Sequence, residues 1–221
     1  MISVLMACYN NATSLEEAIE SILNQKYSDF EFLIINDGST DNSQDILNKY
    51  YSNKKIKLFK NKKNIGLTKS LNILIEKAQG DYIARQDADD KSLESRLEEQ
   101  IKFLDRKKIQ ICTTRAFKGT TKKLIPGASF YLPNRILMQY KNPFIHGTLL
   151  IKTEIIKEYK YDEDYYFAQD YELFNRLLKK YKVKTLNKAL YILNMENNIS
   201  TNFKLEQLSY FKKVKLDNKN K

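Results

Sequence analysis

From residue 1 to residue 100 the chain repeats one pattern: a short unbroken apolar run, a polar turn, then apolar positions at helical spacing. ISVLMACY (2–9), FEFLIIN (30–36), KIKLFK (55–60) and DYIARQ (81–86) predict buried strands. Between them, LEEAIESILNQ places Leu15, Ala18, Ile19, Ile22 and Leu23 on one helical face. LTKSLNILIEKA does the same with Leu71, Leu74, Ile75 and Ala78. Ser14, with Glu17 three residues on, predicts a capping box for the first helix, and Asp41 a cap for NSQDILNKYY. Strand and helix alternating at these spacings require parallel pairing with crossover helices, so the fold class is α/β, with an open sheet. Ligands of such sheets collect at the carboxyl ends of the strands. Three polar loops fall there: Tyr9-Asn10-Asn11, Asp37-Gly38-Ser39 and Asp87-Ala88-Asp89.

The second half is less regular. IQICTTRAF (109–117) and FIHGTLLIK (144–152) predict strands, VKTL and ALYIL two short ones, and the latter part of YDEDYYFAQDYELFNRLLKKY (161–181) a helix. Residues 196–221 read as a basic tail containing an amphipathic stretch, FKLEQLSYFKKV. With 221 residues, no internal repeat and no low-complexity linker, one decorated domain is expected. No run approaches the roughly 20 apolar residues of a membrane span, and MISVLMACYNN lacks the basic start of a signal peptide. Cys8 and Cys112 lie in apolar runs and read as buried thiols in a reducing cytoplasm, with no zinc-type spacing around them.

Charge is uneven. Residues 1–50 hold Lys26 and Lys49 against eight acids, whereas residues 54–69 hold seven lysines and no acid. Such basic surfaces suit nucleic acid, an anionic membrane face or a phosphorylated ligand, although lysine and asparagine richness also follows from an AT-rich genome. The aspartates at 87, 89 and 90 repel one another unless a cation joins them. Taken alone they favour a solvated helix cap, through Asp90 or Ser92, over a hard divalent ion. A nucleotidyltransferase and a non-catalytic nucleic-acid binder are the competing classes. The first lacks a glycine-rich phosphate loop after the opening strand, and the second gives no reason for Asp37, Asp89 and Asp170 to stand where they do. No GxGxxG opens the first helix, which disfavours a dehydrogenase.

Taken in order, MACYNNATSLEEAIESILNQKYSDFEFLIINDGSTDNS, KNIGLTKSLN, GDYIARQDADD with SRLEEQ, FIHGTLLIK and YDEDYYFAQDYELFNRL resemble the family 2 glycosyltransferases of GT-A fold, of the bacterial kind. The resemblance covers residues 1 to about 195 and implies a Rossmann-like open mixed sheet in a single domain. It divides as a nucleotide-sugar half (1–105), an acceptor and catalytic half (106–195) and the tail (196–221).

What the resemblance implies residue by residue is as follows. Asp37 accepts a hydrogen bond from the uracil imide of a UDP-sugar, a role suited to an acceptor-only carboxylate. Ala7, Tyr9, Asn10, Asn64, Lys69, Asp87, Ala88 and Asp89 surround the nucleotide sugar. Lys69 reads equally as a solvated helix residue. Asp89 and Asp87 form the DxD motif that holds Mn²⁺ or Mg²⁺, with Asp89 the main ligand and Asp90 a cap. Asp170 is the base of an inverting transfer; the acid usual before it is Gln169 here. His146 reads as a satisfied structural histidine, with a donor or acceptor contact behind it, as for Gln169. Arg96 anchors the helix after the aspartates. The partners expected are a nucleotide-sugar donor and a hydroxyl of a glycan or lipid-linked acceptor in surface polysaccharide or lipooligosaccharide synthesis. The protein is expected in the cytoplasm, with Lys212, Lys213 and Lys215 beside Phe203, Leu208 and Phe211 touching the inner membrane, and not on nucleic acid.

Overall fold

The four apolar runs of the first half become β1 (Ile2–Cys8), β2 (Phe30–Asn36), β3 (Ile56–Lys60) and β4 (Tyr82–Arg85), all mutually parallel. The structure is a computed structural model and describes residues 1–121, 123–195 and 204–219. Every residue of β1 and β2 is buried, as expected of strands covered on both faces. Between these strands run α1 (Leu15–Leu23), α2 (Ser43–Asn48) and α3 (Leu67–Lys77). Two strands that the sequence left unmarked, β5 (Lys91–Ser92) and β7 (Leu124–Ile125), are only two residues long, too short for a period to show.

Next come α4 (Arg96–Lys107), β6 (Ile111–Lys118), α5 (Asn134–Leu137), β8 (Leu150–Lys152), α6 (Thr153–Tyr159), α7 (Gln169–Lys180) and β9 (Val183–Leu193). The sheet runs β3-β2-β1-β4-β8-β6-β9-β5, with β7 paired to β6. β8 is antiparallel to both β4 and β6, so the sheet is mixed, and with its two helical layers it makes one α/β domain. Alternate residues of β1 feed opposite cores: Leu5 and Ala7 meet Leu71, Leu74 and Ile75, while Val4, Met6 and Cys8 meet Leu15, Ile19 and Ile22. Because the chain leaves β1 toward β2 and later returns to its other side as β4, the strand order reverses between β1 and β4. That crevice is where the fold opens at the carboxyl edge.

Several local expectations are corrected. Ser14 does precede α1 but makes no capping bond; its hydroxyl donates instead to the Asn11 and Ala88 carbonyls. Glu17 pairs with Lys91 at 2.6 Å rather than closing a capping box. FIHGTLLIK is not one strand, since His146–Thr148 forms a 3-10 turn before β8. VKTL and ALYIL are one strand, β9, whose register against β6 shifts after Thr114 and again after Arg115. The last helix, α8 (Lys204–Lys219), docks on α7: Phe211 stacks on Tyr171 at 4.1 Å and Val214 is buried. Phe211 therefore faces protein, and Phe203 lies outside the described residues. No helix among the described residues is long and apolar enough to cross a membrane.

Candidate active site

Three loops meet at the crevice. Tyr9, 45% exposed, follows β1, and Asn10 adopts left-handed backbone with φ 55°. The Asn10 N–H donates to Ser39 Oγ at 3.1 Å, and its side-chain oxygen accepts from the Thr40 N–H at 2.9 Å. The loops after β1 and β2 are thereby locked together. Ala7 lies one step inside the core.

Asp37 is buried, yet nearly saturated by its own protein. Oδ1 accepts from Asn61 Nδ2 at 2.8 Å and the Ile65 N–H at 3.0 Å; Oδ2 accepts from the Gly66 N–H at 2.9 Å. The Gly66 N–H also reaches Asn64 Oδ1 at 3.0 Å. A carboxylate offers about four acceptor sites, and three are taken within the protein, so Asp37 shapes the 61–66 loop. Lys69 stands apart: it is exposed on α3 and lines a groove of about 380 Å³ with Asn72, Glu76, Lys160 and Glu163.

The aspartates after β4 find their positive partner two residues upstream. Arg85 is fully buried and its Nη2 donates to Asp87 Oδ1 at 2.5 Å, while Nη1 donates to the Leu5 carbonyl at 3.2 Å and to the Gln86 carbonyl. The Asp87 N–H donates to the Tyr191 hydroxyl at 3.0 Å. Burial, helped by the charge of Asp87, pushes Asp89 up to about 6. Asp90 is raised by burial and by both neighbouring aspartates. It does not cap α4, whose N-cap is Ser95; its Oδ1 accepts the Asn194 N–H at 2.7 Å. Arg96 is an anchor as expected, donating from Nη1 to the Arg85 and Gly147 carbonyls at 2.8 and 2.7 Å.

This donor set fits a hard divalent cation. Asp89 is short of positive charge, Arg85 engages only one oxygen of Asp87, and such an ion completes its shell with water and diphosphate oxygens. Asp89 and Asp87 would hold it. Ala88, between them, is buried and its carbonyl is fixed by Ser14.

Asp170 sits in the first turn of α7, after Ala168 in left-handed backbone and next to half-buried Gln169. Its Oδ2 accepts from Asn142 Nδ2 at 2.7 Å and its Oδ1 from the Tyr171 N–H at 2.8 Å. His146 Nε2 and the Tyr161 hydroxyl are 2.6 Å apart, which makes His146 a satisfied structural group. Burial lowers the proton affinity of His146, the Arg85 charge lowers it further, and both Asp87 and Asp170 oppose them. Burial raises that of Tyr161, with Asp170 and Asp87 adding to the rise and Arg85 opposing it. Both carboxylates thus act electrostatically on the His146–Tyr161 pair, and Gly147, next to His146, packs directly against Asp87.

The model of a sequence family described as glycosyl transferase family 2 matches residues 3–184. The chain belongs to that family. A putative glycosyltransferase of Bacillus subtilis, EpsE, is 35% identical over 203 residues, covering 86% of this chain and 71% of that one. An uncharacterized glycosyltransferase of Methanocaldococcus jannaschii is 31% identical over 224 residues, covering 96% and 77%. Among solved structures, S. aureus TarS 1–349 in complex with UDP-GlcNAc superposes with a TM-score of 0.75 at 21% identity, over 89% of this chain and 59% of that one. The mannosyltransferase PcManGT of Pyrobaculum calidifontis, in complex with GDP-Man and Mn²⁺, gives 0.70 at 18%, over 89% and 57%. These likenesses establish the GT-A fold, and this chain spans less than two thirds of either solved chain.

For a family 2 glycosyltransferase the sequence left several site residues unmarked: Arg85, Asn142, Gly147, Tyr161 and Tyr191. Arg85 adjoins the aspartates and its charge was a usable signal. Asn142, Tyr161 and Tyr191 come from loops or strands with no local pattern, and only folding brings them in. Gly147 matters for its missing side chain. A Cβ there would lie 2.3 Å from the Tyr191 hydroxyl and 2.5 Å from Asp87 Oδ2. Gly147→Ala is expected to cost about 1–3 kcal/mol of stability by overpacking. It should also displace Asp87, so divalent-ion affinity, followed by calorimetry, falls; unchanged affinity would show that Asp87 takes no part.

Proposed function

We propose that the protein is a metal-dependent, inverting transferase that moves a sugar from a UDP-sugar to a hydroxyl of a lipid-linked glycan in bacterial surface polysaccharide or lipooligosaccharide synthesis. The observation that carries this reading is the family 2 match over residues 3–184, with Asp87 and Asp89 just after β4 and Asp170 held by Asn142 at the start of α7. On this reading the crevice between β1 and β4 takes the nucleotide, with the remaining acceptor site of Asp37 for the uracil N–H and exposed Tyr9 beside the base. The divalent cation, when bound, neutralises charge on the departing diphosphate.

Asp170 removes the proton of the acceptor hydroxyl as that oxygen attacks the anomeric carbon, and the bond from that carbon to the phosphate oxygen breaks on the opposite face. Inversion follows from this single displacement. Asn142 fixes one oxygen of Asp170 and the α7 backbone the other, so the carboxylate is held in place before substrate arrives. The donor's uridine is favoured by the match with TarS bound to UDP-GlcNAc, although GDP-Man occupies the archaeal neighbour. Tests of thermal stability decide this. UDP with Mn²⁺ should stabilise the protein by roughly 2–3 kcal/mol at a hundredfold excess over Kd, and UDP without the ion by much less. Equal stabilisation by GDP, or none by either nucleotide, would overturn the donor assignment.

A further inference from the structure

Between Asp105 and Glu154 the sequence has no acidic residue, while lysine or arginine occurs ten times. The most exposed part of this interval precedes the 3-10 turn at His146. There Tyr131, Leu132, Ile136 and Tyr140 are 75%, 53%, 51% and 74% exposed. The segment is nonetheless well anchored. Leu137 and Met138 are buried, the Tyr171 hydroxyl donates to the Met138 carbonyl at 2.5 Å, and Lys141 Nζ donates to Ser129 Oγ at 3.2 Å. Ile136 lies in α5 and Tyr140 in the turn that follows it; the Tyr140 N–H donates to the Leu137 carbonyl at 2.8 Å.

Cations frame these side chains. Arg135 and Lys141 lie within the segment, and Asn134 donates to the Val183 carbonyl at 3.3 Å, which brings exposed Lys182 and Lys184 alongside. The neighbouring ion pairs use Lys180 with Glu158 and Lys188 with Glu99, and none uses these four cations among the described residues.

With no carboxylate between Asp105 and Glu154, this face carries positive charge only. Protruding aliphatic side chains, tyrosines and cations outside any ion pair complement the headgroup layer of an anionic bilayer. We infer that residues 131–141 are the surface by which this protein rests on an anionic lipid membrane. The inference builds on the proposed lipid-linked acceptor, because Lys141 adjoins Asn142, which holds Asp170. A bilayer seated on this face presents a lipid-borne hydroxyl next to that carboxylate. The C-terminal helix is the poorer candidate, since its Phe211 and Val214 are turned into the protein, and among its described side chains the exposed aliphatics are Leu208 and Leu216.

The test is flotation of the full chain with phosphatidylcholine vesicles, with and without phosphatidylglycerol. The protein should float only with the anionic vesicles. Leu132→Ser with Ile136→Ser should lower partition by about tenfold or more, and Arg135→Gln by about fivefold. Leu208→Ser with Leu216→Ser should leave it unchanged. The shift in melting temperature given by UDP with Mn²⁺, measured on the Leu132/Ile136 variant, should match that of the parent. That measurement confirms a folded donor site and separates failure of the membrane face from failure of the donor assignment. Equal flotation of parent and variant, equal flotation with neutral vesicles, or loss only in the α8 variant would overturn the inference. So would a dimer in sedimentation velocity that the Leu132/Ile136 variant dissolves, since a second copy would then cover the face.

Discussion

Asp170→Asn is expected to lower sugar transfer by about 10²–10⁴-fold, the usual contribution of a positioned base, while UDP affinity stays that of the parent. The substitution keeps the size of the side chain and removes its basicity. It also disturbs a matched pair of bonds. Asp170 accepts through both oxygens, from Asn142 and from the Tyr171 N–H. An asparagine can accept through only one, and Asn142 cannot simply turn over, because its own oxygen already accepts the Phe144 N–H at 3.0 Å. A stability loss of about 1 kcal/mol should accompany the kinetic one. Asn142→Ala should reduce turnover by less, since the base survives but loses a tether. Full transfer activity in the Asp170 variant would remove it from the role of base.

The second large effect is expected at Gly38, next to Asp37. Gly38 has φ +71°, and a Cβ built on it would lie 2.4–2.7 Å from backbone atoms of Lys63 and Asn64. Neither obstacle can rotate away, unlike the end of a side chain. Left-handed backbone costs a non-glycine residue about 1–2 kcal/mol, and the collision about 1–3 more. Gly38→Ala should therefore lose roughly 2–5 kcal/mol in denaturant unfolding. The collision pushes the 61–66 loop away from the carboxylate that organises it, so UDP binding should weaken even where the protein still folds. A variant of parental stability and affinity would mean that the two loops do not pack as described.

The first half was legible because each element carries its own signal. An all-buried parallel strand is a continuous apolar run, and α1 and α3 keep their buried positions on one helical face. The placement of Asp37, Asp87 and Asp89 just past strand ends was readable because they follow such runs closely. Less was legible where a side chain's role depends on what folds onto it. Asp37 looks like a free acceptor in the sequence and is found holding Ile65, Gly66 and Asn61. Lys69, which reads either as a phosphate ligand or as a solvated helix residue, is exposed on α3 along a groove that also includes Ile65. Ser14 with Glu17 has the spacing of a capping box, yet Lys91 and the Ala88 carbonyl compete successfully for those side chains. The His146 region read as a strand because its residues are apolar, and nothing local revealed that the chain turns there to bring a glycine against Asp87.

β9 reaches past the segment that the family model matches. That segment ends at residue 184, but Tyr191 receives the Asp87 N–H and the Asn194 N–H binds Asp90. The aspartate loop therefore rests on a floor laid by the chain roughly a hundred residues after the loop itself is made. A ribosome would finish residues 1–105 well before that floor exists, leaving three crowded carboxylates with Arg85 paired to one of them in the nascent chain. The aspartate loop is thus completed late in synthesis, and a fragment trimmed at residue 184 would keep every recognisable motif while lacking most of the strand that supports that loop.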